Sequence, residues 1–116
     1  MKIEKFEDII AWQKAKILIL LLYKIFLHSR DYSFRDQILR AGVSIMNNIA
    51  EGYERRGDKE LTKFMYIAKG SAGEVRSMLY LALDLGYISK EQFTTCYSLT
   101  VEISKILSGF IKSLHP

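Results

Sequence analysis

This 116-residue chain holds two histidines and one cysteine, residue types that could bind a metal or drive nucleophilic chemistry. Their placement supports neither. His28 falls near the end of the first helical stretch, His115 lies in the tail, and Cys96 sits on an apolar stripe where a buried structural thiol is expected. No Glu-x-x-His pair occurs, which excludes the di-iron form of a helical bundle on its own motif. Gly70 and Gly73 fall inside a helical pattern and not in a phosphate-cradling loop. No nucleophile has a partner base at a useful spacing. The expectation is a chain with no catalytic residues, no metal and no cofactor.

Basic residues offer a different chemistry. Arg55, Arg56, Lys59 and Lys63 gather around one turn, and Lys2, Lys5 and Lys14 lie near the start of the first helix. Antiparallel packing would bring these groups to the same end, where they could hold phosphate backbone, with Tyr53 or Tyr66 for base stacking. Arg40 adds a cation further along the second helix. Against this, Glu51, Glu54, Asp58 and Glu60 are interleaved, and the plain alternative is a solvated bundle end. Asn47 and Asn48 form a second polar feature. Asn48 flanks an apolar stripe and is expected to set helix register, while Asn47 faces outward with Arg40.

The elements that must position these groups are helices. Apolar residues make up 49% and charged residues 26% of the chain, with one proline, which fits one globular domain over residues 1–116. Seventeen basic residues against thirteen acidic ones give a net charge of +4, compatible with a polyanion partner. A single cysteine permits no internal disulfide and points to a reducing, cytoplasmic setting. The longest apolar run, Ile17 to Tyr23, is too short for a membrane span, which takes about 20 residues.

Four helices are expected, at about residues 9–28, 34–56, 59–85 and 90–113. Asp8 is placed to cap the first, Ser33 with Asp36 the second, Asp58 the third, and Ser89 with Gln92 the fourth. Ala11, Ala15, Leu18, Leu22 and Ile25 form the core stripe of the first helix. Phe34, Ile38, Ala41, Ile45, Ile49 and Gly52 form that of the second. The third shows Leu61, Phe64, Ala68, Ser71, Val75, Met78, Ala82 and Leu85, and Gly86 is placed to stop it. The fourth shows Phe93, Cys96, Thr100, Ile103, Leu107, Phe110 and Leu114. Short links and no strand signal predict an all-α, up-down-up-down antiparallel four-helix bundle.

Two helices carry more apolar surface than one core needs. Trp12, Ile19 and Tyr23 on the first, and Leu39, Val43, Met46 and Ala50 on the second, form extra stripes and predict an oligomer interface. Gly70 and Gly73 predict close helix approach at the middle of the third helix, because glycine there costs about 1 kcal/mol relative to alanine.

The chain resembles a known family. Phe6-Glu7-Asp8, Trp12-Gln13-Lys14-Ala15, Asp36-Gln37-Ile38, Arg40-Ala41 and Ser44-Ile45-Met46-Asn47-Asn48-Ile49-Ala50-Glu51-Gly52-Tyr53 are similar to motifs of the S23, or 23S rRNA-intervening-sequence, proteins. Lys59-Glu60-Leu61, Ala68-Lys69-Gly70-Ser71, Glu74 and Leu85-Gly86-Tyr87 continue the likeness, with Asn48, Glu51 and Gly52 in its central signature. Met46 stands where many members have proline. The resemblance implies a four-helix fold with no established catalytic activity. Through the related accessory variability proteins of diversity-generating retroelements, it implies a pentameric ring whose basic surfaces bind nucleic acid and a reverse transcriptase.

The functional expectation is a non-enzymatic homo-oligomer, with a pentamer favoured, that binds RNA or DNA through Lys14, Arg40, Arg55, Arg56, Lys59 and Lys63. The competing expectation is a scaffold that docks a partner protein, such as a reverse transcriptase, without touching nucleic acid.

Overall fold

A computed structural model describes residues 3–115. A 3-10 turn at Phe6–Asp8 precedes four helices: α1 (Ile10–Phe26), α2 (Tyr32–Glu54), α3 (Asp58–Asp84) and α4 (Lys90–Leu114). Each helix packs on the next, and α1 also packs on α4; among the described residues the backbones of α1 and α3, and of α2 and α4, stand further apart across the diagonals. The helices therefore stand at the corners of a square in chain order, the antiparallel up-down-up-down bundle expected, about 43 × 21 × 19 Å.

Local chemistry sets the helix ends, and three of the four expected caps are corrected. Asp8 does not cap α1. Its carboxylate accepts the backbone N–H groups of Glu4 (3.1 Å) and Lys5 (3.3 Å), closing the preceding turn, and α1 opens from an extended Ile9. Asp31, not Ser33, caps α2 by accepting the Phe34 N–H at 3.1 Å, while Asp36 turns aside to Arg35. Gly57 occupies the cap position of α3, which leaves Asp58 and Glu60 inside its first turn, where a helix N-terminus favours negative charge. At α4 the expected reciprocal pair forms: Ser89 Oγ accepts from the Gln92 N–H (3.0 Å) and Gln92 Oε1 from the Ser89 N–H (2.9 Å). Gly86 stops α3 at φ 76°, with Tyr87 N–H on the Ala82 carbonyl and Gly86 N–H on that of Leu83. That pattern is a Schellman motif, which requires a left-handed residue at this point.

The core follows the expected stripes closely on three helices. All six stripe residues of α2 are buried, as are Ala11, Ala15, Leu18 and Leu22 of α1 and Cys96, Thr100, Ile103 and Leu107 of α4, whereas Ile25, Phe93, Phe110 and Leu114 are half-buried and Ile111 takes the core place expected of Phe110. On α3 the stripe is rotated by one residue at every second position. Met65, Ala72 and Leu79 point to the bundle axis, Phe64, Ser71 and Met78 are only half-buried, and Leu85 is 50% exposed. Phe64 and Ser71 instead turn toward α2.

Close helix approach occurs elsewhere than Gly70 and Gly73. A Cβ on either of those would meet nothing within 4 Å, so both face open space. The tight seams are at Gly42, where a Cβ would stand 2.6 Å from Ile19 Cδ1, and at Gly52, where it would stand 2.6 Å from Phe64 Cβ. The first of these corrects the expected interface. Ile19 and Leu39 are 6% and 7% exposed, and Ile19 is sealed into the α1–α2 seam, so neither is free for a neighbour. Trp12, packed edge-on against Phe6, is half-buried, as are Val43, Met46 and Ala50, and Tyr23 is 41% exposed.

Candidate nucleic-acid interface

The turn from α2 to α3 occupies three residues, Arg55 to Gly57, so the cations around it are held on a short leash. Arg55 Nη2 donates to Glu51 Oε2 at 2.7 Å, and its guanidinium lies 5.1 Å from the centre of the Phe64 ring. The bond to Glu51, with the nearby negative charge, holds this guanidinium even more firmly protonated than usual. Arg56 follows with φ 55°, a left-handed conformation for a side chain with no fixed partner among the described residues. Lys59 and Lys63 are exposed one turn apart on α3 and form no ion pair among the described residues.

Beside this turn runs a cleft of about 300 Å³, lined by Lys5, Tyr53, Glu54, Arg56 and Asp58 among others. Its mixed charges make it a poor cage for a single phosphate. The basic character lies on the rim, on Arg56, Lys59 and Lys63. Tyr53 is unavailable for base stacking, because its hydroxyl donates to the Ile3 carbonyl at 3.2 Å and its ring is half-buried. Tyr66, 57% exposed, is open.

The other expected cations stand apart. Lys14 reaches across the α1–α4 seam to Glu102 at 3.4 Å. Arg40 lies about 22 Å from Arg55 along α2, taking ~1.5 Å of rise per residue. It lines a separate polar cleft with Gln37, Ser44, Ser71 and Glu74. Lys2 lies outside the described residues.

The two asparagines resolve into different roles. Asn47 is exposed. Asn48 donates to the Ser44 carbonyl (2.8 Å) and to Ser44 Oγ (2.9 Å), and Ser44 Oγ pairs with Ser71 Oγ of α3 at 3.0 Å. Asn48 therefore acts on register through Ser44. The helix-to-helix bond itself belongs to two serines that spacing did not pair, Ser71 having been expected only as a core-stripe residue of α3, and Gln37 to Glu74 (3.3 Å) is a second such bond.

The remaining reactive groups are scattered. His115 shares a 2.8 Å bond with Thr62 Oγ1, His28 is exposed, and Cys96 is 1% exposed. Burial pushes the Cys96 thiol up. Among the described residues no three His, Cys, Asp or Glu side chains group as a metal site, and no helix is long and apolar enough to cross a membrane.

Fold and surface together define a small all-α protein, an antiparallel four-helix bundle with one basic turn. The family model described as 23S rRNA-intervening sequence protein matches residues 7–109, and the chain belongs to that family. A solved structure of a protein of unknown function from the S23 ribosomal protein family of Bacteroides thetaiotaomicron is similar at 29% identity and a TM-score of 0.80. The match covers 88% of this chain and 98% of that one. No curated protein matches the chain.

Proposed function

We propose that this protein is a non-enzymatic, cytoplasmic homo-oligomer, with a pentamer favoured, that binds RNA or DNA through its α2–α3 end. The observation that carries the reading is the geometry of that end. Arg56 in the three-residue turn and Lys59 and Lys63 at the start of α3 have no ion-pair partners among the described residues, and Arg55 beside them is held by Glu51 and the Phe64 ring. One copy presents only a small field. Repeating the turn around an assembly would multiply it, and phosphate contacts add through the counterions each one releases. Exposed Ile10, Ile17, Leu20 and Leu27 on α1 support the oligomer, because such an apolar strip is unusual on a free monomer.

The test replaces Arg55, Arg56, Lys59 and Lys63 by glutamate and measures binding to structured RNA and to duplex DNA against salt. The unmodified protein is expected to lose affinity steeply with salt, by a log–log slope of about −0.9 for each phosphate contacted on duplex DNA. The charge-reversed protein is expected not to bind. Salt-insensitive or absent binding by the unmodified protein would remove the nucleic-acid reading and leave the protein-docking scaffold.

A further inference from the structure

One polar cleft belongs neither to the core nor to the basic turn. It opens on the α2–α3 seam, holds about 270 Å³, and is lined by Gln37, Arg40, Ala41, Ser44, Ser71 and Glu74. Two interhelical hydrogen bonds frame it. Gln37 Nε2 donates to Glu74 Oε2 at 3.3 Å, and Ser44 Oγ pairs with Ser71 Oγ at 3.0 Å. Between the two rungs on α2 lies buried Ala41, whose methyl group leaves the space open. All six lining residues fall within the stretches that carry the family likeness, whereas Arg55, Arg56 and Lys63 of the basic turn do not.

The cleft holds two opposite charges that are not spent on each other. Arg40 and Glu74 are both exposed, and neither makes an ion pair among the described residues. Asp36, one turn before Arg40 on α2, is held instead by Arg35 at 2.9 Å. A hydroxyl proton is also left over. The Asn48 amide donates to the Ser44 carbonyl and to Ser44 Oγ, so Ser44 Oγ is an acceptor there. Ser44 and Ser71 share one bond, and whichever hydroxyl donates to the other, the second keeps its own proton for a third group. The lining therefore offers guanidinium and hydroxyl donors for an anion, and a carboxylate for a cation.

That set selects its ligand. Glu74 would repel a simple anion, and Arg40 a simple cation. Among the described residues no aromatic side chain lines the cleft, so a nucleobase would have nothing to stack on. A zwitterion meets both charges at once, through charge-assisted hydrogen bonds at each end. Ser71 and Glu74 are i,i+3 neighbours on α3, roughly 5–6 Å apart at Cβ. The anionic and cationic groups of the ligand must be correspondingly close, as the carboxylate and ammonium of an α-amino acid are. We propose that the cleft binds a free α-amino acid, its carboxylate on Arg40 and the spare serine hydroxyl, its ammonium on Glu74. The site is separate from the basic turn and does not depend on nucleic-acid binding.

The experiment is equilibrium dialysis of the full chain against a mixture of the standard amino acids, with those retained identified by mass spectrometry. One or a few are expected to be retained saturably. The matching amine without its carboxylate, and the matching acid without its ammonium, are expected not to be. Arg40→Gln and Glu74→Gln, both at exposed positions, are each expected to weaken retention about tenfold or more, the loss that follows from removing a hydrogen bond to a charged group. Circular dichroism checks that both variants keep their helix content. Should either lose it, Arg40→Lys or Glu74→Asp takes its place, with a smaller loss expected in the same direction. Retention of no amino acid, equal retention of the amine or the acid alone, or unchanged retention in either variant would overturn the proposal. None of these outcomes touches the nucleic-acid reading, which the charge reversal at the turn tests separately.

Discussion

Gly52 of α2 lies so close to Phe64 of α3 that a Cβ built on it would stand 2.6 Å from the Phe64 Cβ. The obstructing atom is fixed to the backbone and cannot swing aside, so the helices themselves must part. Gly52→Ala is therefore expected to destabilise the fold by about 1–3 kcal/mol, the usual range for overpacking. Gly70→Ala should do the reverse, by up to ~1 kcal/mol, since its Cβ meets nothing within 4 Å and helix propensity alone decides. Urea unfolding at one fixed protein concentration measures both. Equal signs for the two substitutions would contradict the packing described.

Arg56 holds a left-handed φ of 55° without the glycine that such a conformation favours. The strain costs a side-chain-bearing residue roughly 1 kcal/mol, partly offset by the greater freedom that glycine has in the unfolded chain. Arg56→Gly is expected to raise the urea midpoint, a gain of about 0.5 kcal/mol. A lowered midpoint would mean that Arg56 makes contacts stronger than its backbone strain.

The Tyr87 hydroxyl donates to Asp31 Oδ2 at 2.7 Å and ties the α3–α4 turn to the start of α2. This bond, helped by the Phe34 N–H, lowers the Asp31 pKa, and the same bond raises that of Tyr87. The signs give two limbs. A depressed carboxylate contributes stability above the ordinary aspartate value that is lost as pH falls through the lowered one. A raised phenol contributes stability below about pH 10 that is lost as pH rises through the raised value. Tyr87→Phe keeps the ring against Phe34 and should flatten both limbs. By NMR, the Asp31 carboxyl is expected to titrate closer to an ordinary aspartate, though still below it because the Phe34 donor remains. No movement of the Asp31 titration would show that the bond is not kept in solution.

Cys96 lines the groove between α1 and α4 but is itself 1% exposed, and burial raises its pKa. Its thiolate is scarce and shielded, so a thiol reagent should react at the rate at which the bundle opens and not at that of a free cysteine. Reaction followed with and without urea checks this. Rapid labelling of the native protein would place the thiol at the surface.

Much of this architecture was legible in the sequence because helical periodicity is a local signal. The stripe from Phe34 to Gly52 is buried in full because it faces the bundle interior along the whole length of α2. On α3 the same logic failed by one residue. Phe64 and Met65, or Met78 and Leu79, are adjacent apolar residues, and spacing cannot say which faces the axis and which faces α2. The glycines show the same limit: Gly52 and Gly70 look alike in sequence, and only the neighbouring helix distinguishes a tight seam from an open face. Caps misled where two acceptors competed, as Asp31 and Ser33 did at α2. The basic turn was legible because its four cations are close in sequence. The isolation of Arg40 and the pairing of Lys14 with Glu102 depend on helix length and on a contact across the bundle. The Ser44–Ser71 bond carried no signal that spacing could reveal.

The square arrangement of helices also has a kinetic side. Three of its four seams join consecutive helices through short turns, so each can form as a local event with little loss of chain freedom. The seam between α1 and α4 is different. It closes a loop through two intervening helices, with the single ion pair Lys14–Glu102 across it among the described residues. It also borders the groove lined by Leu21, Ile25 and Cys96. By entropy and by packing, this seam is expected to be the last to shut as the chain folds and the first to part as it breathes. The amides of α2 and α3, which share the broadest contact, are expected to exchange slowest.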